Sequence, residues 1–132
     1  MTKQNTFSIV IPTYNRAEKL RSTISALLSQ DYPDSKYEVI ISDDGSTDTT
    51  PITGLVFSLS RSHPIKYIRN THQGTVKTMN AGLKLAKNGI VVMMCDDQLP
   101  DRDFLKDCSE MIDSNPDISV WDGRIIISFR ER

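Results

Sequence analysis

Phe7-Ser8-Ile9-Val10-Ile11-Pro12-Thr13-Tyr14-Asn15-Arg16 is the stretch that decides the fold. Its first five residues predict a buried strand, and Pro12 is expected to stop it. Asn15, followed three positions later by Glu18, reads as a variant capping box with Asn in place of the usual Ser or Thr. Leu20, Ile24, Leu27 and Leu28 then recur at helical spacing and mark a face that packs on a sheet.

The same alternation continues outward. Residues 37–42 predict a second strand, ending in Asp43-Asp44-Gly45-Ser46. A helix is expected over about 49–59, with Pro51 in its first turn and Gly54 weakening it by roughly 1 kcal/mol relative to Ala. Residues 65–69 predict a third strand. Residues 75–87 predict a third helix, with Val76, Met79, Leu83 and Ala86 as its apolar stripe and Gly89 as its cap. Residues 90–94 form a continuous apolar run, the pattern of a strand covered on both faces. A fourth helix is expected to bury Phe104, Cys108, Met111 and Ile112 and to end at Asn115-Pro116. Residues 118–121 and 124–129 predict two last strands paired around Asp122-Gly123. Strands alternating with helices predict an α/β fold, a mostly parallel sheet with helices on both faces, as a single domain over residues 1–132.

Composition narrows the function classes. An apolar fraction of 38% and a charged fraction of 25% describe a soluble globular chain. The formal net charge of -1 supplies no broad basic field for nucleic acid. Cys95 and Cys108 lack zinc-site spacing and read as small core residues in a reducing compartment. The amino terminus is polar with no signal-peptide core, and residues 90–95 are too short an apolar run to span a bilayer. The expected localisation is cytoplasmic, with a peripheral membrane association or a partner chain left open.

In an open α/β sheet, ligands bind outside the carboxyl ends of strands where the winding reverses. Three polar clusters fall at such ends: 12–16, 43–46 and Asp96-Asp97. If strands one and four are neighbours, all three meet at one crevice. No GxGxxG and no GxxxxGK[ST] is present to cradle a phosphate. A divalent ion held by Asp96-Asp97 would supply that role, since Mg²⁺ or Mn²⁺ accepts one or two carboxylates and completes its shell with phosphate oxygens and water. Plainer readings stand beside these. Asp43-Asp44-Gly45 is also an ordinary turn sequence, Asp96-Asp97 also fits a solvated loop pair, and Asn15 reads as a helix start. Tyr14 is expected in a loop with a ring face free for stacking. His63 and His72 read as solvated loop residues, and Trp121-Asp122 as an apolar anchor and a turn.

Residues 8–16, residues 37–48, Gly74 with Asn80-Ala81-Gly82, and Cys95-Asp96-Asp97 together resemble glycosyltransferase family 2, of GT-A fold, over roughly residues 7–111. The resemblance implies a nucleoside diphosphate sugar, most simply a UDP-sugar, as donor. It implies that Thr13 and Tyr14 contact the base, that Asp43 accepts a hydrogen bond from its edge, and that Asp96 lies near the ribose. Asp97 would hold Mn²⁺ or Mg²⁺ on the diphosphate, and Lys77 would contact phosphate or base. Transfer would be inverting, to a glycan, lipid or protein acceptor not identified by the sequence.

Two substitutions depart from the family pattern. Cys95 replaces the first Asp of the DxD motif, and Met79 stands where Arg is common. The family's acceptor half and catalytic base come after this region, and only a helix and a strand pair are expected here, so no base is assigned. The alternatives are a non-catalytic nucleotide-sugar-binding module and, from another class, a phospho-acceptor receiver domain. Against the receiver, the paired acids follow strand two rather than strand one, and no lysine follows Lys106.

Overall fold

The computed structural model describes residues 4–60 and 62–123. Its elements are β1 (Phe7–Thr13), α1 (Ala17–Leu28), β2 (Tyr37–Asp43), α2 (Thr50–Ser58), β3 (Ile65–Arg69), α3 (Thr75–Leu83), β4 (Ile90–Met93) and α4 (Phe104–Ser114). The strands form one sheet of order β3-β2-β1-β4, and every pairing is parallel. Strands one and four are therefore neighbours, the condition under which the three polar clusters meet.

Period-2 alternation sorts the strand residues onto two faces. Phe7, Ile9, Ile11, Tyr37, Val39 and Ile41 pack with Leu20, Ile24 and Leu27 of α1 and Leu105 of α4 in one buried cluster. Phe57 of α2 and Phe104, Cys108 and Ile112 of α4 close its margin. Val10, Ile40 and Ser42 face the other way, against α3. A Cβ on Gly82 would lie 2.5 Å from Val10 Cγ1, so the missing side chain lets α3 seat on the sheet. Helices thus cover both faces, as expected. On the α3 face, Ser8 Oγ and the Lys87 N–H both donate to Glu38, at 2.7 and 2.9 Å. The Asn88 N–H donates to Ser8 Oγ at 3.1 Å, which pins the entry to β4 beside the start of β1.

Several expectations are corrected. Pro12 does not end β1, which runs to Thr13. Val10 faces β4, accepting from the Met94 N–H, whereas Thr13 faces β2. Pro12 shares the Val10 side, past the last β4 pairing at Val10–Met93, so its missing N–H forfeits no ladder bond. Helix α3 stops at Leu83 and buries Thr78 and Gly82, while Val76 is exposed. Its end is closed by Lys84, Leu85 and Ala86 N–H groups bonding back to Asn80, Gly82 and Leu83, not by Gly89. Strand β4 is an edge strand among the described residues, with Val91 and Met93 exposed, because α3 lies over β1 and β2 on that face. Residues 118–121 are not a strand, and Ile118 and Val120 are exposed. No ladder joins them to a described strand; their expected partner, 124–129, lies outside the described residues. Cys95 is exposed beyond β4, and only Cys108 is half-buried.

Candidate functional site

Winding reverses between β1 and β4, and Thr13 stands at that point. Its carbonyl accepts the Asp44 N–H at 2.9 Å, and its hydroxyl donates to Asp96 at 2.8 Å. Thr13 therefore ties the acidic cluster after β2 to the one after β4. Asp96 is buried, and its carbonyl accepts the Thr23 hydroxyl of α1 at 2.9 Å. Asp97, one residue on, is half-exposed and aims a carboxylate at solvent.

Asn15 does not cap α1; Arg16 occupies that position without a side-chain cap bond. Asn15 has a φ of 51°, a left-handed conformation that Asn tolerates better than most side chains. The turn sends its carboxamide across to the loop after β2, where Oδ1 accepts from Thr47 N–H at 2.8 Å and Asp48 N–H at 3.3 Å. Its own N–H donates to Ser46 Oγ at 2.9 Å. This locked turn leaves Tyr14 on the surface. One ring face is not free, however: it stacks on His72, with centroids 4.4 Å apart and planes inclined by 25°.

The two acids of the β2 turn have different surroundings. Asp43 is fully buried; one oxygen accepts from Ser46 N–H and Oγ at 2.9 and 2.6 Å, the other from Tyr67 OH at 2.6 Å. Burial and the Asp43 charge push the Tyr67 phenol far above its ordinary value. Asp44 gathers Gln73 N–H at 2.7 Å, Gly74 N–H at 3.1 Å and Thr78 Oγ1 at 2.8 Å, with His72 Nδ1 at 2.9 Å. Burial pushes the Asp44 carboxyl up, but these donors and the His72 charge outweigh it and leave it below its ordinary value. Gly45 has a φ of 77°, and a Cβ there would meet Asn70 O and His72 N at 3.0 Å. Glycine is thus required for the β2 turn to nest against the loop after β3.

Of the residues singled out from sequence, the structure brings Thr13 and Asp96 into contact, with Asp97 beside them. Tyr14 and Asp43 flank them on the β1 and β2 loops. Lys77 is exposed on the first turn of α3, and among the described residues no hydrogen bond or ion pair ties it to the others. Three participants had no site role of their own in the sequence reading: Arg16 and Asp44, counted only within their clusters, and His72. His72 is no bystander, and His63 is largely covered, with Nε2 2.9 Å from Asp34. Arg16 spans Asp96 Oδ1 and Asp97 Oδ2 at 3.3 and 3.5 Å. A signal for it existed, since an Arg at a helix N-terminus opposes the helix dipole and implies an acidic partner.

Among the described residues, no three His, Cys, Asp or Glu side chains converge as a ligand set. Two adjacent carboxylates suit a hard cation that keeps water and phosphate ligands, and a guanidinium already stands in as their cation. The donor set therefore fits Mg²⁺ or Mn²⁺ and does not fit a closed zinc site.

Known proteins share this fold. The profile described as Glycosyl transferase family 2 matches residues 8–132. "Glycosyltransferase AglE" of Haloferax volcanii is 33% identical over 99 residues, covering 75% of this chain and 33% of that protein. A poly(ribitol-phosphate) beta-N-acetylglucosaminyltransferase, TarS of Staphylococcus aureus, is 28% identical over 83% of this chain and 19% of its own length. The chain thus spans a third or less of these curated relatives. Among solved structures, S. aureus TarS 1-349 in complex with UDP-GlcNAc superposes with a TM-score of 0.76 at 29% identity, over 93% of this chain and 37% of that one. A mannosyltransferase from Pyrobaculum calidifontis in complex with GDP-Man and Mn²⁺ gives 0.78 at 29% identity, over 84% and 33%. These matches overturn the receiver-domain alternative and agree with the parallel sheet: the chain belongs to glycosyl transferase family 2 and has the GT-A architecture.

Proposed function

We propose that this domain binds a nucleoside diphosphate sugar, most simply a UDP-sugar, with a divalent metal, for inverting transfer of the sugar to an acceptor. The observation that carries the reading is the Thr13–Asp96 bond, which, with the Asp44 N–H held by the Thr13 carbonyl, brings the ends of β1, β2 and β4 together. The complexes of the neighbours with UDP-GlcNAc, and with GDP-Man and Mn²⁺, support a nucleotide sugar as ligand.

Tyr14 would stack on the base, after exchanging or sharing its contact with His72. Thr13 and Asp43 would line the base pocket. The Asp43 oxygens already carry Ser46 and Tyr67, so its hydrogen bond to the base would need a further lone pair. Asp96, fixed by Thr13, would face the ribose. Lys77 is long enough to add charge toward phosphate or base. Asp97 would hold the Mg²⁺ or Mn²⁺. When bound, that ion neutralises charge on the departing diphosphate. Displacement by a deprotonated acceptor hydroxyl would follow by family analogy, with the base and acceptor wall outside the residues assigned here. Free thiols at Cys95 and Cys108 fit a reducing, cytoplasmic setting. Among the described residues, no helix is long and apolar enough to cross a membrane.

Calorimetric titration with UDP, GDP and CDP, each with Mn²⁺ and with chelator, tests the reading. Tightest binding is expected for UDP with Mn²⁺. Equal affinity with ion and with chelator would remove the metal.

A further inference from the structure

The Arg16 side chain is placed by the acids around it. Its backbone is fixed: the N–H donates to Thr50 Oγ1 at 3.1 Å, and the carbonyl accepts the Leu20 N–H at 2.9 Å. The side chain is half-exposed and belongs to the N-cap residue of α1, the positive end of the helix, a place that disfavours a cation. It stays there by facing Asp96 and Asp97 together. Both separations, 3.3 and 3.5 Å, exceed the about 2.7–2.9 Å of a tight charge-assisted bond, so the hold is loose. The two acids also differ. Asp96 is buried and keeps its Thr13 bond whatever Arg16 does, whereas Asp97 is half-exposed and free to change partner.

We propose that Arg16 is the resident counter-ion of the Asp96–Asp97 pair, displaced when a metal–diphosphate complex binds. It yields Asp97 to the metal and turns its guanidinium onto the diphosphate oxygens. The proposal rests on the metal-dependent reading above. A metal bound at about 2.0–2.1 Å from an Asp97 oxygen would sit close to Arg16 Nη1, and the two cations repel. Metal alone must displace Arg16 with no anion to receive it. Metal with a nucleoside diphosphate supplies one, in a form a guanidinium binds bidentately. Arg16 therefore couples the two ligands: each raises affinity for the other, and neither alone binds well. It is a ligand-binding residue for the metal–diphosphate complex, and its length and fork matter as well as its charge.

The test is Mn²⁺ binding followed by electron paramagnetic resonance, for the wild-type chain, Arg16→Gln and Arg16→Lys, with and without UDP. Without UDP, Arg16→Gln is expected to bind Mn²⁺ about fivefold more tightly than wild type, the scale of a partly exposed ion pair. The factor by which UDP raises Mn²⁺ affinity should fall by at least as much in Arg16→Gln. Arg16→Lys should keep the wild-type affinity for Mn²⁺ alone and lose part of the UDP effect. Both variants keep the backbone bonds of residue 16, and thermal melting checks that they fold. Wild-type metal binding with an unchanged UDP effect in Arg16→Gln overturns the proposal alone. Absence of Mn²⁺ binding to wild type even with UDP overturns the metal reading, and the proposal with it.

Discussion

Thr13 and Asp96, 83 residues apart in sequence, are joined by a 2.8 Å hydrogen bond across the carboxyl ends of β1 and β4. The bond is buried, so its loss leaves a charged oxygen short of a donor. Thr13→Val preserves shape and removes only the hydroxyl. It is expected to lower stability by about 1–3 kcal/mol and to weaken UDP binding. Urea unfolding and calorimetry on the same preparation measure both, and unchanged values in both would show that the bond does not organise the crevice.

Asp97→Asn should weaken metal-dependent nucleotide binding far more than Asp96→Asn does. Asp97 is the solvent-facing acid, while Asp96 is committed to Thr13. Asp96→Asn should instead lower the melting temperature. Equal loss of Mn²⁺ dependence in the two variants would merge their roles.

These outcomes bear on what the sequence made legible. The alternation of strands and helices and the three clusters follow from periodicity and from acids at strand ends, both of which are local patterns; the β1–β4 pairing that makes the clusters meet is long-range and stays conditional in the sequence. Asn15 was misread because its αL turn is set by partners at Ser46 and Thr47, far along the chain. Asp44 carries no distinct signal because its role lies in amides at Gln73 and Gly74, which have no side-chain signature, and His72 because its partners, Asp44 and Tyr14, are far along the chain. The exposure of Val91 and Met93 on β4 is also invisible in the sequence, since an apolar run looks the same at an edge as in the centre.

The Asp44 carboxyl sits below its ordinary value of 3.8 in the folded state. Its stabilising contribution is complete above the unfolded value and is lost as pH falls through the folded one. Wild-type stability should therefore decline with acid below about pH 4, and Asp44→Asn should show a shallower decline from a lower starting point. Urea unfolding across this range reads the slope; identical slopes would remove Asp44 from the account.

Gly54 of α2 lies against Tyr67, and a Cβ there would fall 2.2 Å from Tyr67 Cδ2. Gly54→Ala gains about 1 kcal/mol of helix propensity but forces the ring aside. A net loss of about 1–2 kcal/mol is expected, together with disturbance of the Tyr67–Asp43 bond. A stabilised variant with unchanged tyrosine absorbance would sink this explanation.

The 132-residue chain is expected to bind donor yet transfer no sugar at a useful rate. Transfer needs a carboxylate within about 2.6–3.2 Å of the acceptor hydroxyl, or one water away, and a wall that aligns it. After Asp97 the described residues supply α4 and a loop. Labelled-sugar transfer to pooled acceptors checks this. Acceptor-dependent turnover abolished by Asp97→Asn would show that the chain itself holds a base, after Asp97 or elsewhere in the crevice.

The parallel β1–β4 pairing also favours an order of assembly. β1 can meet β2 by closing a span of about 30 residues, as Ser8 and Glu38 do. Meeting β4 requires closure over 83 residues, as for Thr13 and Asp96. The extra entropy is only about 1 kcal/mol, but distant pairings form slowly. A chain with three strands built would carry Thr13, Asp43 and Asp44 while still lacking its second acidic pair. Its β1 would also be an unpaired edge, open to other strands. Completion of the crevice and protection of that edge are thus a single event in folding.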